Sequence, residues 1–396
     1  MFARTYTIET SENLQEAYTD RKRWWWLLSL ANPLVPLIGI AGQMATGNEL
    51  WLCVPLFLMF VMSPLLDWLF GEDENNPPEI LVPQLEEDHY YRVLTYLTVP
   101  LHYITFFSVA VWVGTQEFSW WGFLALTIAL GFADGFAINT GHELGHKHTR
   151  LETWLAKIVL AVPAYGHFWI EHNRGHHRDV ATPEDPASAR MGESIYKFAR
   201  REIPGAFHRA WMIEHERLCR KGVPVWSLHN EILQSYLITV VIQVGLIAAF
   251  GWIMLPFLLI HNFFSWWVLT SANYVEHYGL LRSTQADGKY ERCQPHHSWN
   301  ANHKYSNLLL FHLQRHSDHH ASPTRRYQSL RHFDDLPGLP SGYYGMYIIA
   351  YIPWLWFKMM DQRLLALPHI TGDLSKINVD PDVKPEIYAK YNQASA

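Results

Sequence analysis

Cysteine is scarce. Cys53, Cys219 and Cys293 stand alone among 396 residues, with no CxxC pair anywhere. That excludes a disulfide scaffold, a thiolate zinc site and a built-in iron–sulfur or rubredoxin centre. No GxGxxG precedes a helix-like stretch, and no flavin motif, internal repeat or low-complexity tract occurs. Any redox chemistry therefore needs electrons from another protein. Basic residues are missing from long stretches: none lies between Trp24 and Tyr91, between Val93 and His146, or between Gly222 and Leu281. With a net charge of -6, the chain offers no footprint for nucleic acid.

Apolar and aromatic residues are abundant, 49% and 15% of the chain, with 18 tryptophans. A soluble domain of this length needs neither so much tryptophan nor such long apolar runs. Six runs, near Trp24–Met44, Leu50–Phe70, Val93–Val113, Trp120–Ile138, Ile232–Phe250 and Trp252–Ser271, approach the roughly 20 residues that cross a bilayer. Tryptophans lie at or near their ends, as interfacial belts require. Pro33, Pro36 and Pro100 predict kinks. Asn32, His102, Asp134 and His261 are expensive in lipid and are expected to face the bundle interior. No small-residue cleavage site follows Arg21, Lys22 and Arg23, so the first run is expected to stay as an anchor. The loops between alternate runs carry no Lys or Arg, which places both termini in the cytoplasm by the positive-inside rule. Trp154–Ile170 and Tyr343–Phe357 are shorter or interrupted and read as interfacial or re-entrant.

The expected architecture is all-α: six transmembrane helices and a cytoplasmic helical cap. Residues 1–23 form an N-terminal cytoplasmic segment, and 24–140 hold spans one to four. Residues 141–231 form a metal-binding region, 232–271 hold spans five and six, and 272–396 complete the cap and tail.

The unusual count is 23 histidines. Three clusters stand out: His142-Glu-Leu-Gly-His146, His172-Asn-Arg-Gly-His176-His177 and His316-Ser-Asp-His319-His320. On a helix, residues three or four apart share a face, so His142 pairs with His146, His172 with His176, and His316 with His319 and His320. A lone HxxxH is expected about once by chance in so histidine-rich a chain. Two triple patterns beside it are not. Neutral imidazoles suit Zn, Cu, Fe or Ni. Eight ligands are too many for one ion, so two are implied. A rival reading is an intramembrane zinc protease, because His142-Glu143-Leu-Gly-His146 fits HExxH, with Glu143 as base. It leaves at least five clustered histidines unexplained. Its expected third ligand, an aspartate before glycine on a later membrane helix, is not found: Asp134-Gly135 precedes the motif and Asp287-Gly288 lies outside any span.

The HELGH, HNRGHH and LQRHSDHH boxes, with Asn273-Tyr-Val-Glu-His277-Tyr-Gly-Leu before the third, closely resemble the membrane-bound alkane 1-monooxygenases. The likeness extends through GEDENNPPE at Gly71–Glu79, YYRVLTYLTVP at Tyr90–Pro100, the run Met191–Ala206 and PHHSWN at Pro295–Asn300. It covers about Arg21 to Asp373. The histidine boxes alone are shared with membrane desaturases and sterol-type hydroxylases, so a lipid desaturase or hydroxylase is the alternative. NYVEHYGL separates the alkane enzymes.

The resemblance implies a non-haem di-iron oxygenase of the bacterial inner membrane. It would use O2 to convert the terminal methyl of medium- to long-chain n-alkanes into a primary alcohol. Carried over, the ligands are His142, His146, His172, His176, His177, His316, His319 and His320, with His277 the ninth. Electrons are expected from rubredoxin and an NADH-dependent rubredoxin reductase. Arg174, Arg178, Arg200, Arg201, Arg220, Lys221, Arg325, Arg326 and Arg331 are available as a basic dock. Carboxylates near the boxes, namely Glu143, Glu171, Asp179, Asp185, Glu276 and Asp318, are candidates to orient the ring N–H groups. His296, His297, His303 and His312 read as structural.

Overall fold

A computed structural model describes residues 3–9 and 15–392. Six helices are long and apolar enough to cross a membrane: Trp25–Thr46, Glu49–Phe70, His89–Thr115, Trp120–Gly145, Glu231–Phe250 and Met254–His277. They are spans 1 to 6 below. The first begins with a 3-10 turn and is broken by another at Asn32–Leu34, where Pro33 cannot donate to the helix ladder. Pro100, by contrast, is accommodated inside one continuous helix. Span 2 carries a π turn at Leu58–Met62, and the Ser63 hydroxyl donates to the Leu58 carbonyl at 3.0 Å.

Span 4 is the centre of the bundle. Its apolar window is 78% buried, against 22% in spans 2 and 5, whose outer faces stay exposed as lipid-facing surfaces must. Gly131 and Gly135 let span 6 approach it closely. A Cβ at Gly131 would lie 2.7 Å from Phe264 Cβ and 2.9 Å from the His261 carbonyl, and one at Gly135 would collide with Val268. This is the small-xxx-small packing that lets membrane helices touch.

Polar groups inside the bundle are paired, as their cost in lipid requires. Asp134 of span 4 accepts from His102 Nδ1 of span 3 at 2.8 Å and His261 Nε2 of span 6 at 3.0 Å. All three are buried, as is Asn32. The expectation that they face inward holds.

Two helices run further than their apolar runs suggested. Span 4 continues to Gly145 and span 6 to His277, so each carries its polar end out of the bundle as one rigid rod. The cap includes the helices Arg150–Ala161, Ile195–Arg220, Tyr343–Ala350 and Pro353–Leu365. Neither weaker apolar stretch forms one helix of spanning length.

The N-terminal segment adds a two-stranded hairpin to the helical fold. Arg4–Glu9 (β1) and Gln15–Asp20 (β2) pair antiparallel, from Arg4 opposite Asp20 to Glu9 opposite Gln15. Tyr6 is buried, and its hydroxyl donates to Asp88 at 2.7 Å, where Arg4 and Arg23 also converge. The hairpin is thereby fastened to the start of span 3.

Candidate metal centre

The nine histidines assemble at the end of span 4. His142 occupies the last turn of that helix and His146 is its C-cap. His277 is the last residue of span 6. His316, His319 and His320 lie on the short helix His316–Ala321. Together they form two groups: His142, His146, His172, His177 and His319 in one, and His176, His277, His316 and His320 in the other. Within each, one nitrogen from every ring lies within 4.8 Å of the others.

The second box departs from simple α-helical spacing. His172–His176 is a π turn, whose bonds link residues five apart. His172 and His177 therefore share a group, with their Nε2 atoms 3.0 Å apart, while His176 belongs to the other. The expectation that His172 and His176 share one helical face is corrected. The third box is corrected too: His316 and His320 stay together, and His319 turns to the first group.

These rings fit a metal and fit little else. Nε2 faces Nε2 at 2.9 Å for His142 and His319, 3.1 Å for His177 and His319, 3.2 Å for His316 and His277, and 2.9 Å for His320 and His316. Two nitrogens each about 2.1 Å from one ion and at right angles to it are about 3.0 Å apart. The Nε2 atoms of His146 and His176 are buried with no hydrogen-bond partner among the described residues. Burial, reinforced by neighbouring rings, holds His172, His177, His316, His319 and His320 well below the ordinary imidazole range. They are neutral, the form that ligates metal.

The carboxylates divide by what they touch. Asp185, fully buried, accepts from His176 Nδ1 at 2.9 Å. Burial works against the charged His176 ring, but Asp185 outweighs it and raises that ring's proton affinity. Arg209 clamps Asp185 at 2.7 Å and also binds Glu171. Glu276 Oε2 lies 3.4 Å from His316 Nε2, and its other oxygen accepts from the Tyr343 hydroxyl at 2.8 Å. His277 Nδ1 faces the His297 carbonyl at 3.4 Å. Glu143 pairs instead with Lys147 at 3.1 Å, and Asp318 with Arg325 at 3.3 Å and the Arg331 amide at 2.9 Å. Asp179 pairs with Arg178 at 2.7 Å. No described hydrogen bond joins Glu143, Asp179 or Asp318 to the nine rings. Arg209, Tyr343 and the His297 carbonyl were not anticipated, since nothing in the local sequence marks them.

A third group, Glu291, His296 and His297, also has metal-sized spacing. Its hydrogen bonds argue otherwise. The Gln294 amide donates to His297 Nδ1 at 2.9 Å, so the neutral ring carries its proton on Nε2, which faces Glu291 at 3.5 Å. No lone pair remains on that ring for a metal. His303 faces Glu72, and His312 Nδ1 faces the Tyr327 carbonyl; both lie outside the two groups.

Of the nine cations available as a dock, Arg174, Arg178, Arg201, Arg325, Arg326 and Arg331 form ion pairs within the protein. Arg200, Arg220 and Lys221 are exposed and outside the described ion pairs.

A narrow cavity of about 30 Å³ lies between spans 4 and 6 at the histidines. Gly135, Phe136 and Ile138 of span 4 face Val268, Leu269 and Ala272 of span 6 across it, and His142, His172, His316 and Glu276 close its end.

The fatty acid desaturase family matches residues 118–350, which include all nine histidines. The chain is 57% identical over 370 residues to alkane 1-monooxygenase 1 of Alcanivorax borkumensis, covering 93% of this chain and 91% of that one. It is 56% identical over 374 residues to the alkane 1-monooxygenase of Pseudomonas putida (94% and 92%) and 56% over 379 residues to that of Ectopseudomonas oleovorans (96% and 94%). At that identity across nearly the full length, and with the histidine groups built as described, the chain belongs to the membrane-bound alkane 1-monooxygenases of the fatty acid desaturase family.

Proposed function

We propose that this protein is a di-iron monooxygenase that hydroxylates the terminal methyl group of medium- to long-chain n-alkanes. Each turnover consumes one alkane, one O2, two electrons and two protons, and yields a primary alcohol and water. The observation that carries the reading is the pair of histidine groups facing an apolar seam between spans 4 and 6. An alkane C–H bond has no acidity and no handle for a nucleophile. Bound iron would supply the O2 chemistry, and the protein supplies binding, orientation and tuning. His142, His146, His172, His177 and His319 would hold one iron, and His176, His277, His316 and His320 the other.

The remaining residues shape and tune the site. Asp185 and the His297 carbonyl fix ring orientation through Nδ1, leaving Nε2 for metal. Glu276, fixed by Tyr343, stands where the cavity meets the second group and is a candidate further oxygen ligand there. The cavity is narrow and mostly apolar, so a chain end fits beside the histidines better than a bent chain.

Rubredoxin, reduced by an NADH-dependent reductase, is the proposed donor, since the sequence carries no CxxC pair or flavin motif of its own. Exposed Arg200, Arg220 and Lys221 are available to meet an acidic carrier. The distribution of Lys and Arg favours an inner-membrane protein with both termini, and the cap formed by 141–231 and 272–396, in the cytoplasm.

Metal analysis tests this reading. About two irons per chain are expected, with His146→Ala, His176→Ala and His319→Ala each losing iron and turnover together. One tight zinc per chain, with activity independent of reductant, would overturn it.

A further inference from the structure

A second, larger cavity of about 370 Å³ lies away from the histidines, where span 1 begins and span 2 ends. Its apolar wall is Trp25, Leu28 and Phe70. Trp25 is the first residue of span 1 and Phe70 the last of span 2, and both are more than half exposed (59% and 55%). The opening therefore sits at headgroup depth and faces the acyl region.

The rest of the lining is mostly polar and holds four cations beside Asn75, Asn302, Asn307 and His312. Arg21, Lys22, Lys304 and Arg315 meet a single carboxylate, Asp73. Lys22 pairs with Asp73, and Arg315 shares it at 3.9 Å. Arg315 is 2% exposed; its Nη atoms donate to the Asp73 and Leu330 carbonyls, and its Nε has no partner among the described residues. Arg21 and Lys304 are exposed, and Lys304 Nζ reaches only the Phe70 carbonyl at 3.2 Å. Burial, and then repulsion from Arg315, lower the Lys22 pKa despite Asp73 and Asp20.

We propose that this cavity binds the phosphate headgroup of one anionic phospholipid. The charge excess supplies the anion site, and Trp25, Leu28 and Phe70 receive the start of the acyl chain. Arg315 immediately precedes His316, so a bound phosphate steadies the residue that leads into the third histidine box. This coupling rests on the function proposed above; the lipid site does not.

Native mass spectrometry of the full chain, released from nanodiscs of phosphatidylcholine with phosphatidylglycerol, separates the two. One phosphatidylglycerol per chain is expected to be retained in preference to phosphatidylcholine. The double variant Arg21→Gln with Lys304→Gln changes only exposed side chains, and its retention should fall roughly tenfold or more. Millimolar inorganic phosphate should not displace the lipid. Equal retention by variant and wild type, or of the two lipids, would overturn the proposal, as would displacement by phosphate alone. Iron content serves as an independent readout: its failure would strike the di-iron reading and leave the lipid result standing.

Discussion

Asp185 Oδ2 receives the Nδ1–H of His176 at 2.9 Å, leaving that ring's Nε2 buried within the second histidine group, with no hydrogen-bond partner among the described residues. Arg209 holds the same carboxylate from the other side. The relationship ties a loop residue to a ring of the second histidine group through one hydrogen bond. Asp185→Asn keeps the size of the side chain but removes its charge. It is expected to weaken one of the two metals by about 10–100-fold and leave the other in place. Metal titration followed by elemental analysis would show a split stoichiometry.

Glu202 gives a pH signature. It is fully buried, with hydrogen bonds to Thr270 at 2.7 Å and Asn273 at 3.1 Å, and burial pushes its carboxyl up to about 7 from the ordinary 4.5. Between those values the folded state holds a proton that the unfolded chain has lost, so stability falls as pH rises. Above 7 the full penalty applies, roughly 3 kcal/mol. Glu202→Gln escapes it. Its apparent melting temperature in detergent should exceed the wild type at pH 8, and the advantage should shrink through pH 7 to 4.5 and vanish below about pH 4.

Asp134 joins three spans through His102 and His261. Asp134→Ala strands two buried imidazole nitrogens, at a cost of roughly 1–3 kcal/mol each. Thermal unfolding in detergent should shift down by several degrees, with Asp134→Asn recovering part of the loss. An unchanged midpoint would mean that the triad does not stabilise the bundle.

Leu269 lines the cavity eight residues before His277, about 12 Å up the helix at 1.5 Å per residue. Leu269→Phe should shorten the accepted chain without moving the oxidised carbon. Each excluded methylene removes at most about 0.8 kcal/mol of transfer free energy, or about fourfold in rate, and less for a substrate arriving from lipid. Competition between alkanes of different length would measure it.

Much of this architecture was legible because the strongest signals are local. Six apolar runs and the HxxxH, HxxxHH and HxxHH spacings are short patterns, and the structure places all six helices and gathers all nine histidines. The division of rings was not legible. It depends on the π turn at His172–His176, and no propensity rule separates that turn from an α turn. The hairpin was missed because RTYTIE and QEAYTD are too polar to read as buried strands, and Tyr6 is their one deeply packed apolar side chain among the described residues. Asp185 was visible by proximity, but its clamp Arg209 lies 24 residues further along the chain. Glu143 sits inside a histidine box yet pairs with Lys147, one turn on. Sequence distance separates neither case from its opposite; only packing does.

The central claim concerns which carbon is oxidised. Apolar walls offer no hydrogen bond to fix register, so shape alone presents the chain to the histidines. The direct measurement is product analysis after incubating the purified protein with octane, O2 and a reduced rubredoxin system. The account expects 1-octanol almost exclusively, with no product when rubredoxin is omitted. Internal octanols or octenes as the main products would contradict it.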